Sequence, residues 1–337
     1  MRRVSTVLIG VVALTALGSA FAYAGWSSTA VRTGPAALAE APVGTRTIPI
    51  EGSRIVFRHT ELGSDYGLIA AVPWADSGGP RKLSDVSCER VYAADASEIC
   101  LRLNRNDHTT FTADLLDQAG QLVRSWPLPG VPSRARINAD GTLVAFSAFI
   151  TAEAYATVGF SIATVIAEIG GPESVNLETF ALSVGGVAVT AADRNLWGVT
   201  FTSDPNVFYA TAASEGQTWL VRGNRAAATL TAISEGAECP SVSPDGTRIA
   251  YKKNMSGTTA PLWNIAVLDL ATNEETLLPD ARNIDDQVEW LDNSTILYGI
   301  VRADSIGDSD IWSAPVDGSA DARLEIEHGW SPSVVRE

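Results

Sequence analysis

The sequence predicts an all-β protein, a six-bladed β-propeller built from four-stranded antiparallel blades. Two observations predict this fold. Six short polar turns each introduce an apolar, β-branched strand, and successive turns are 41 to 64 residues apart. The turns begin at Glu51-Gly52, Asp95, Asp140-Gly141, Asp204, Asp245-Gly246 and Asp292. A repeat of this size, marked by strands rather than helices, is typical of propellers.

The first 47 residues are expected to lie outside the propeller. Met1-Arg2-Arg3 precedes Val4 to Ala24, an uncharged apolar run that is typical of an export signal cleaved after Ala24. The same run is long enough to span a bilayer, so an uncleaved N-terminal anchor is the alternative. Residues 25–47 are rich in Ala, Thr, Ser, Gly and Pro and are interpreted as a flexible linker. The propeller is expected over residues 48–337.

The blade that begins near residue 238 has the clearest pattern. Its first strand, Glu238–Ser243, runs into the turn Pro244-Asp245-Gly246. In this turn proline fixes φ, aspartate accepts a hydrogen bond from the following backbone, and glycine takes the left-handed position. Residues 247–251, 263–269 and 274–278 are then predicted to be the second, third and outer strands. Strand-turn-strand segments at 133–146, 197–210 and 287–298 follow the same pattern.

The two ends of the repeat are complementary. The first blade begins directly with a turn and a second strand, Gly52–Phe57, whereas the C-terminus supplies an extra first strand, Trp330–Val335. We therefore expect the C-terminal strand to complete the first blade, which hides two sheet edges. The interval of 64 residues between Asp140 and Asp204 is expected to contain an insertion within residues 151–190.

The chain is strongly acidic, with 39 acidic and 24 basic side chains and a net charge of −15. Removal of Arg2 and Arg3 with the signal leaves 22 basic side chains and a charge of −17. Such a surface repels phosphate backbones and anionic membranes. We therefore expect no binding of nucleic acid, and contact with a membrane only through an uncleaved N-terminal segment. The protein is also expected to be a monomer.

The three cysteines predict one disulfide. Cys88 and Cys100 flank a hairpin turn at Ala94–Ser97, and strands leaving one turn can bring such residues opposite each other. A disulfide between them is expected in an oxidising compartment. Cys239 is interpreted as a small buried hydrophobic residue. Three cysteines without paired C-x-x-C spacing do not make a zinc site.

The run Cys239–Ala250, with its Pro-Asp-Gly turn, resembles the TolB-like six-bladed propellers. The resemblance covers about residues 48–335, although the other turns depart from the pattern. Asp140-Gly141 lacks the proline, Asp204-Pro205 reverses the order, and Asp95 has no glycine.

Three further runs, Pro132–Arg136, Asp285–Trp290 and Trp330–Pro332, are similar to a group of exported actinobacterial-type TolB-like proteins. The resemblance implies an envelope or secreted propeller that binds other macromolecules. It supplies no catalytic residues.

The sequence offers little for catalysis or metal binding. His59, His108 and His328 are expected on different blades, at the surface or at strand edges. Asp304, Asp308 and Asp310, around Gly307, could hold calcium, but this stretch lacks the bidentate glutamate of a dedicated site. A solvated loop is therefore expected, with no cofactor and no metal site.

The candidate binding residues lie at the entrances of the first strands, which line the channel of a propeller. They are Arg90, Arg134, Arg136, Trp197, Glu238, Asp286, Gln287 and Trp330. Mixed charges and two indoles suit a recognition surface, because Trp and Arg are favoured at binding hot spots. The alternative is that the indoles pack between blades and the charges pair across the channel.

These features predict an exported, non-catalytic propeller that binds a protein, peptide or glycan, or acts as a scaffold, in the cell envelope. One alternative is a propeller hydrolase of the lactonase or glycan type, with calcium at the channel. It would need a convergent cluster of carboxylate and Asn side chains, which no motif indicates. Another alternative is a membrane-anchored sensor domain, which would require that Val4 to Ala24 stay uncleaved.

Overall fold

The computed structural model describes residues 52–105, 108–150, 161–256 and 261–336. Their strands form six sheets, which are the blades of a six-bladed β-propeller, so the predicted fold is confirmed. The predicted signal and linker, residues 1–47, lie outside the described residues and stay predictions.

Each blade is named here by a letter, from A to F in chain order. Blade A contains β1 (Arg54–His59), β2 (Leu68–Pro73), β3 (Lys82–Ser87) and, from the far end of the chain, β26 (Gly329–Val335). Blade B contains β4 (Arg90–Ala94), β5 (Ser97–Arg105), β6 (Thr109–Asp117) and β7 (Leu122–Leu128). Blade C contains β8 (Gly130–Ile137), β9 (Leu143–Ile150), β10 (Ser161–Glu168) and β11 (Ser174–Asn176).

The remaining blades follow in the same order. Blade D contains β12 (Ala181–Val184), β13 (Val187–Val189), β14 (Asn195–Phe201), β15 (Val207–Ser214), β16 (Gln217–Asn224) and β17 (Thr229–Glu235). Blade E contains β18 (Ala237–Val242), β19 (Arg248–Asn254), β20 (Trp263–Asp269) and β21 (Glu275–Leu277). Blade F contains β22 (Glu289–Trp290), β23 (Thr295–Val301), β24 (Ser309–Pro315) and β25 (Arg323–Ile326). Short 3-10 turns lie at Trp74–Asp76 and Leu177–Thr179.

The C-terminal strand closes the ring, as the sequence predicts. β26 pairs antiparallel with β1, from Arg54 opposite Val335 to His59 opposite Gly329. Ser333 of β26 also joins two blades, because its hydroxyl donates to Val56 O at 3.2 Å and accepts from Ala93 N at 3.0 Å. Blade A is therefore completed by β26 and held against blade B.

Blade D is the one blade that departs from four strands among the described residues. The hairpin β12–β13 extends its sheet outwards, because β12 pairs in parallel with the outer strand β17. This hairpin, with the 3-10 turn before it, accounts for part of the long interval between the third and fourth turns. Residues 151–160 of that interval lie outside the described residues.

Apolar side chains fill the spaces between neighbouring blades. Between blades B and C, for example, Ile99, Leu101, Trp126 and Phe146 belong to one buried cluster. The rings of Trp126 and Phe146 lie 5.5 Å apart in a tilted arrangement. Such packing makes the blades a rigid frame for the loops at either end of the channel.

The predicted disulfide between Cys88 and Cys100 is confirmed. Both residues are buried, and the bond ties the segment before β4 to the neighbouring strand β5. Cys239 is buried and unpaired.

Replacing both linked cysteines by alanine should lower the free energy of unfolding by about 2–3 kcal/mol, because the short loop is no longer constrained in the unfolded chain. The measurement is urea unfolding of both proteins without reductant. Addition of reductant should destabilise the wild type but not the double variant. Equal stability of the two oxidised proteins would contradict the prediction.

Glu98 of β5 should make stability depend on pH. Burial raises the pKa of Glu98 to about 7, although the charge of Arg54 lowers it, and Asp117 adds to the increase. Because this folded-state pKa exceeds the unfolded value, the folded state binds the proton more tightly. The contribution is therefore fully present below about pH 4.3 and is lost as the pH rises through 7, by at most about 3 kcal/mol.

The variant Glu98→Gln removes this titration, so it should be more stable than the wild type at pH 8 and should lack that component of the pH dependence. Thermal melts between pH 5 and pH 8 measure both effects. Glu274→Gln, at an exposed turn of blade E, is the matched control and should follow the wild type. Parallel pH curves for Glu98→Gln and the wild type would refute the assignment.

Candidate functional site

The candidate site lies where the inner strands of the blades begin. β26, β4, β8, β14, β18 and β22 are the innermost strands, so their N-terminal ends surround one end of the channel, called here the mouth. Several inner strands bulge close to this end, where Gly198, Cys239 and Ser331 adopt positive φ. A Cβ at Gly198 would lie 2.8 Å from the Cα of Cys239, so glycine is needed there for close approach of β14 and β18.

Asp286 links three blades at the mouth through its side-chain hydrogen bonds. Its side chain is fully buried, and Oδ2 accepts from the backbone N–H groups of Gly299 at 3.1 Å and Ser331 at 2.9 Å. Oδ1 lies 3.2 Å from Nη1 of Arg90, which donates to it. The sequence analysis places Asp286 among the binding candidates; in the structure it joins blades F, A and B and orients Arg90.

A second set of charged side chains surrounds Asp285, the residue before Asp286. Lys252 Nζ donates to Asp285 Oδ1, and Arg134 Nη2 lies 3.7 Å from the same oxygen. Burial acts to raise the pKa of Asp285. The charges of Lys252 and Arg134, with the hydrogen bond from Lys252, outweigh this effect, so the pKa is lowered. Burial raises the pKa of the neighbouring Glu238, which Lys252 partly offsets. Arg134 is thus a partly buried member of an ion-pair network, and the partly buried Glu238 lies within the field of its charges.

Two further candidates are buried inside the channel. Arg136 donates from Nη1 to Glu289 Oε2 at 2.8 Å and from Nη2 to Val288 O at 2.8 Å. Gln287 Nε2 donates to Ala135 O at 3.1 Å. Burial, together with the charge of Glu289, raises the pKa of Tyr92 beside this pair to about 12. These side chains connect blades C and F across the channel.

The two tryptophans of the candidate set have different environments. Trp197 is buried and packs with Ile162 and Cys239. Trp330 is partly exposed, and the guanidinium carbon of Arg90 lies 5.4 Å from the centre of its ring. Trp330 is therefore the indole that a ligand at the mouth can reach.

Beside Arg90 and Trp330 the mouth opens into a cavity of about 570 Å³, called here the mouth groove. It is lined by Arg58, Tyr66, Glu89, Arg90, Leu103, Arg105, Phe111, Val131, Pro132 and Trp330. Of the predicted candidates, only Arg90 and Trp330 line it. Tyr66, Arg105 and Phe111 also line the groove but are not among the predicted candidates, and they lie on or beside the connections between second and third strands. Those connections return to the mouth in every antiparallel blade, and this rule could have indicated them.

The mouth concentrates positive charge within an acidic chain. Burial, together with the nearby charge of Arg134, lowers the pKa of Arg90 to about 10, against the opposing effect of Asp286. Glu89 faces Arg58 at 3.7 Å but is about half exposed. Cations therefore crowd the mouth with only partial compensation.

The burial of His59 and of Asp308 differs from the expectations for the histidines and the acidic loop. His59, the last residue of β1, is buried, and His328 lies on the connection between blades F and A, where its O accepts from Thr60 N at 3.1 Å. Asp308 is not solvated either. It is buried, its Oδ2 lies 2.7 Å from His328 Nδ1, and its Oδ1 accepts from Thr60 Oγ1 at 2.9 Å.

The same acidic loop is held by an arginine, since Arg302 Nη1 donates to Asp310 Oδ1 at 3.0 Å. In the part of the chain that the structure describes, no group of three or more His, Cys, Asp or Glu side chains could hold a metal ion. None of the helical segments in that part has the length and apolar character needed to cross a membrane.

Several solved structures align with this chain over most of its length. TolB from Acinetobacter baumannii aligns with 85% of this chain and 67% of its own length, at 14% identity and a TM-score of 0.59. The chain has the fold of the TolB propellers. A TolB-type protein from Agrobacterium tumefaciens aligns with 83% of this chain and with 91% of its own length, at 12% identity and a TM-score of 0.52.

A chain of the nidogen/laminin complex has the same fold, with 8% identity, a TM-score of 0.55, and coverage of 84% of this chain and 98% of its own. No protein-family model matches the sequence. No curated protein matches it either. The resemblance to TolB-like propellers is thus confirmed at the level of the fold, and at these identities function has to be argued from the site.

Proposed function

We propose that this chain is an exported, non-catalytic propeller that binds a segment of a partner protein in the mouth groove. The observation that carries the proposal is the groove itself. It presents arginine and aromatic side chains, the residues favoured at binding hot spots, from a rigid frame. Asp286 orients Arg90 before any ligand arrives, which lowers the entropy lost on binding.

Export is supported by two features of the chain. Residues 1–24 have the composition of a signal segment, and the Cys88–Cys100 disulfide is typical of oxidising compartments. A role in binding rather than catalysis is supported by the channel, where Arg136, Glu289 and Asp286 each engage fixed partners of the protein. One protein with the same fold belongs to a complex with laminin or nidogen, which illustrates protein binding by this architecture.

The test is affinity purification of the tagged chain from its own envelope after mild cross-linking, followed by mass spectrometry. Arg105→Ala and Phe111→Ala change the groove, whereas Arg323→Ala is a matched control on β25 of blade F, where the side chain is 73% exposed. We expect a stoichiometric partner that both groove variants lose and the control keeps. A partner retained equally by all variants, or bound calcium with no partner, would contradict the proposal.

A further inference from the structure

We infer that the mouth groove selects an acidic segment of its partner, an inference that rests on the proposed function. The groove is lined by three arginines and one glutamate, whereas the whole chain has 39 acidic and 24 basic side chains. The groove thus has the opposite sign to the protein around it. A site of this kind attracts an acidic ligand that the rest of the surface repels.

Two of the arginines lie over aromatic rings. The guanidinium carbon of Arg58 lies 4.5 Å from the centre of the Tyr66 ring, and that of Arg90 lies 5.4 Å from the Trp330 ring. The ring contact orients each guanidinium, and both arginines line the mouth groove. A fixed guanidinium edge matches a carboxylate, to which it can donate two parallel hydrogen bonds.

Each of these two arginines is also anchored at one edge. Arg58 Nε donates to Cys88 O at 2.7 Å, and its Nη2 is 3.7 Å from the partly exposed Glu89. Arg90 donates from Nη1 to the buried Asp286. These contacts hold each guanidinium in place. The two arginines have only a partly exposed Glu89 and the buried Asp286 as carboxylate partners within these contacts. Burial and the nearby charge of Arg134 both lower the pKa of Arg90, so an added negative charge at the mouth is favoured.

Arg105 is the least compensated cation of the groove. It is exposed at the end of β5, and no carboxylate of the described residues is paired with it. An acidic side chain bound there would pair with a cation that is exposed to solvent. Arg105 is therefore the position where the charge of the ligand can be tested with least disturbance of the fold.

The groove also has an apolar wall, formed by Leu103, Phe111, Val131 and Pro132. Val131 is 43% exposed in this structure, so part of the wall is open to a ligand. A wall of this kind suits the side chains that lie between the acidic residues of a peptide. It gives no advantage to a bare phosphate, and the acidic surface around it disfavours nucleic acid. These features favour an acidic peptide segment with interspersed apolar residues.

The experiment uses the full chain, immobilised, and two random peptide libraries that differ only in Asp and Glu against Asn and Gln. We expect binders from the acidic library. For a selected acidic peptide, fluorescence anisotropy should give an affinity about tenfold weaker for Arg105→Glu than for the wild type, and a steep decrease with salt. A peptide with one acid changed to lysine should recover affinity for Arg105→Glu. Arg323→Glu is the control and should bind as the wild type does.

Several outcomes would overturn the inference: equal enrichment from the neutral library, unchanged affinity of Arg105→Glu at an unchanged unfolding midpoint, or tighter binding of oligogalacturonate, an anionic glycan probe. Neutral peptides that depend on Phe111 would overturn the acidic preference and keep the proposed function. If envelope capture also finds a partner that is indifferent to Arg105→Ala and Phe111→Ala, the proposed function fails with it.

Discussion

A chain that lacks its last eight residues, 330–337, should not fold into a stable propeller. These residues contain nearly all of β26, the channel strand of blade A. Their removal exposes the inner edge of β1, removes the buried Val334 and Val335, and leaves Ala93 N and Val56 O without the hydroxyl of Ser333. Each buried valine contributes about 1.5–3 kcal/mol, and the total stability of a domain is about 5–15 kcal/mol. The loss of the whole strand should therefore abolish cooperative unfolding.

Circular dichroism melts of the truncated and complete chains measure this effect. A second variant that replaces residues 330–337 by a Gly/Ser segment of equal length separates the loss of the strand from the loss of length, and it should behave like the truncation. A melting temperature within a few degrees of the wild type for either variant would mean that β26 does not close the ring.

Breaking the buried Arg136–Glu289 pair from one side should cost about 3–5 kcal/mol. Both side chains are almost completely buried, and Nη1 and Oε2 lie 2.8 Å apart. Glu289→Gln would leave the guanidinium charge of Arg136 inside the channel without a counter-charge. Arg136→Met would do the same to the carboxylate and would also remove the hydrogen bond to Val288 O. Urea unfolding of each variant measures the loss.

Two controls make this prediction specific. The double variant Arg136→Met with Glu289→Leu removes both charges, so it should recover much of the stability that either single variant loses. Asp304→Asn breaks a surface contact to Arg302 at 3.8 Å, where the aspartate is 83% exposed, and should change stability by less than about 1 kcal/mol. Equal losses for the buried and surface variants would show that the channel pair is solvated.

The architecture could be predicted from the sequence because short segments of the chain determine its strands and turns. Each polar turn, such as Pro244-Asp245-Gly246, determines where one strand ends and the next begins, and the repeat interval then gives the number of blades. The match of Trp330–Val335 to a first strand predicted the closure. The disulfide between Cys88 and Cys100 followed for the same reason, since both residues lie on the arms of one hairpin.

The candidate site was only partly accessible. Sequence placed Arg90 and Trp330 at strand entrances, and both line the mouth groove. Tyr66 and Phe111 were missed because they lie on or beside the connections between second and third strands, which carry no motif. Their proximity to Trp330 exists only once the ring has closed.

The burial of charges was decided by tertiary structure alone. Arg136 and Glu289 are 153 residues apart, and Asp286 and Ser331 are 45 residues apart, so no local pattern predicts that they meet. A charged side chain is stable inside a protein when fixed partners replace its water, and those partners come from other blades. Short-range turn chemistry therefore determines the blades from the sequence, whereas the exposure of each mouth residue depends on contacts that form when the six blades assemble.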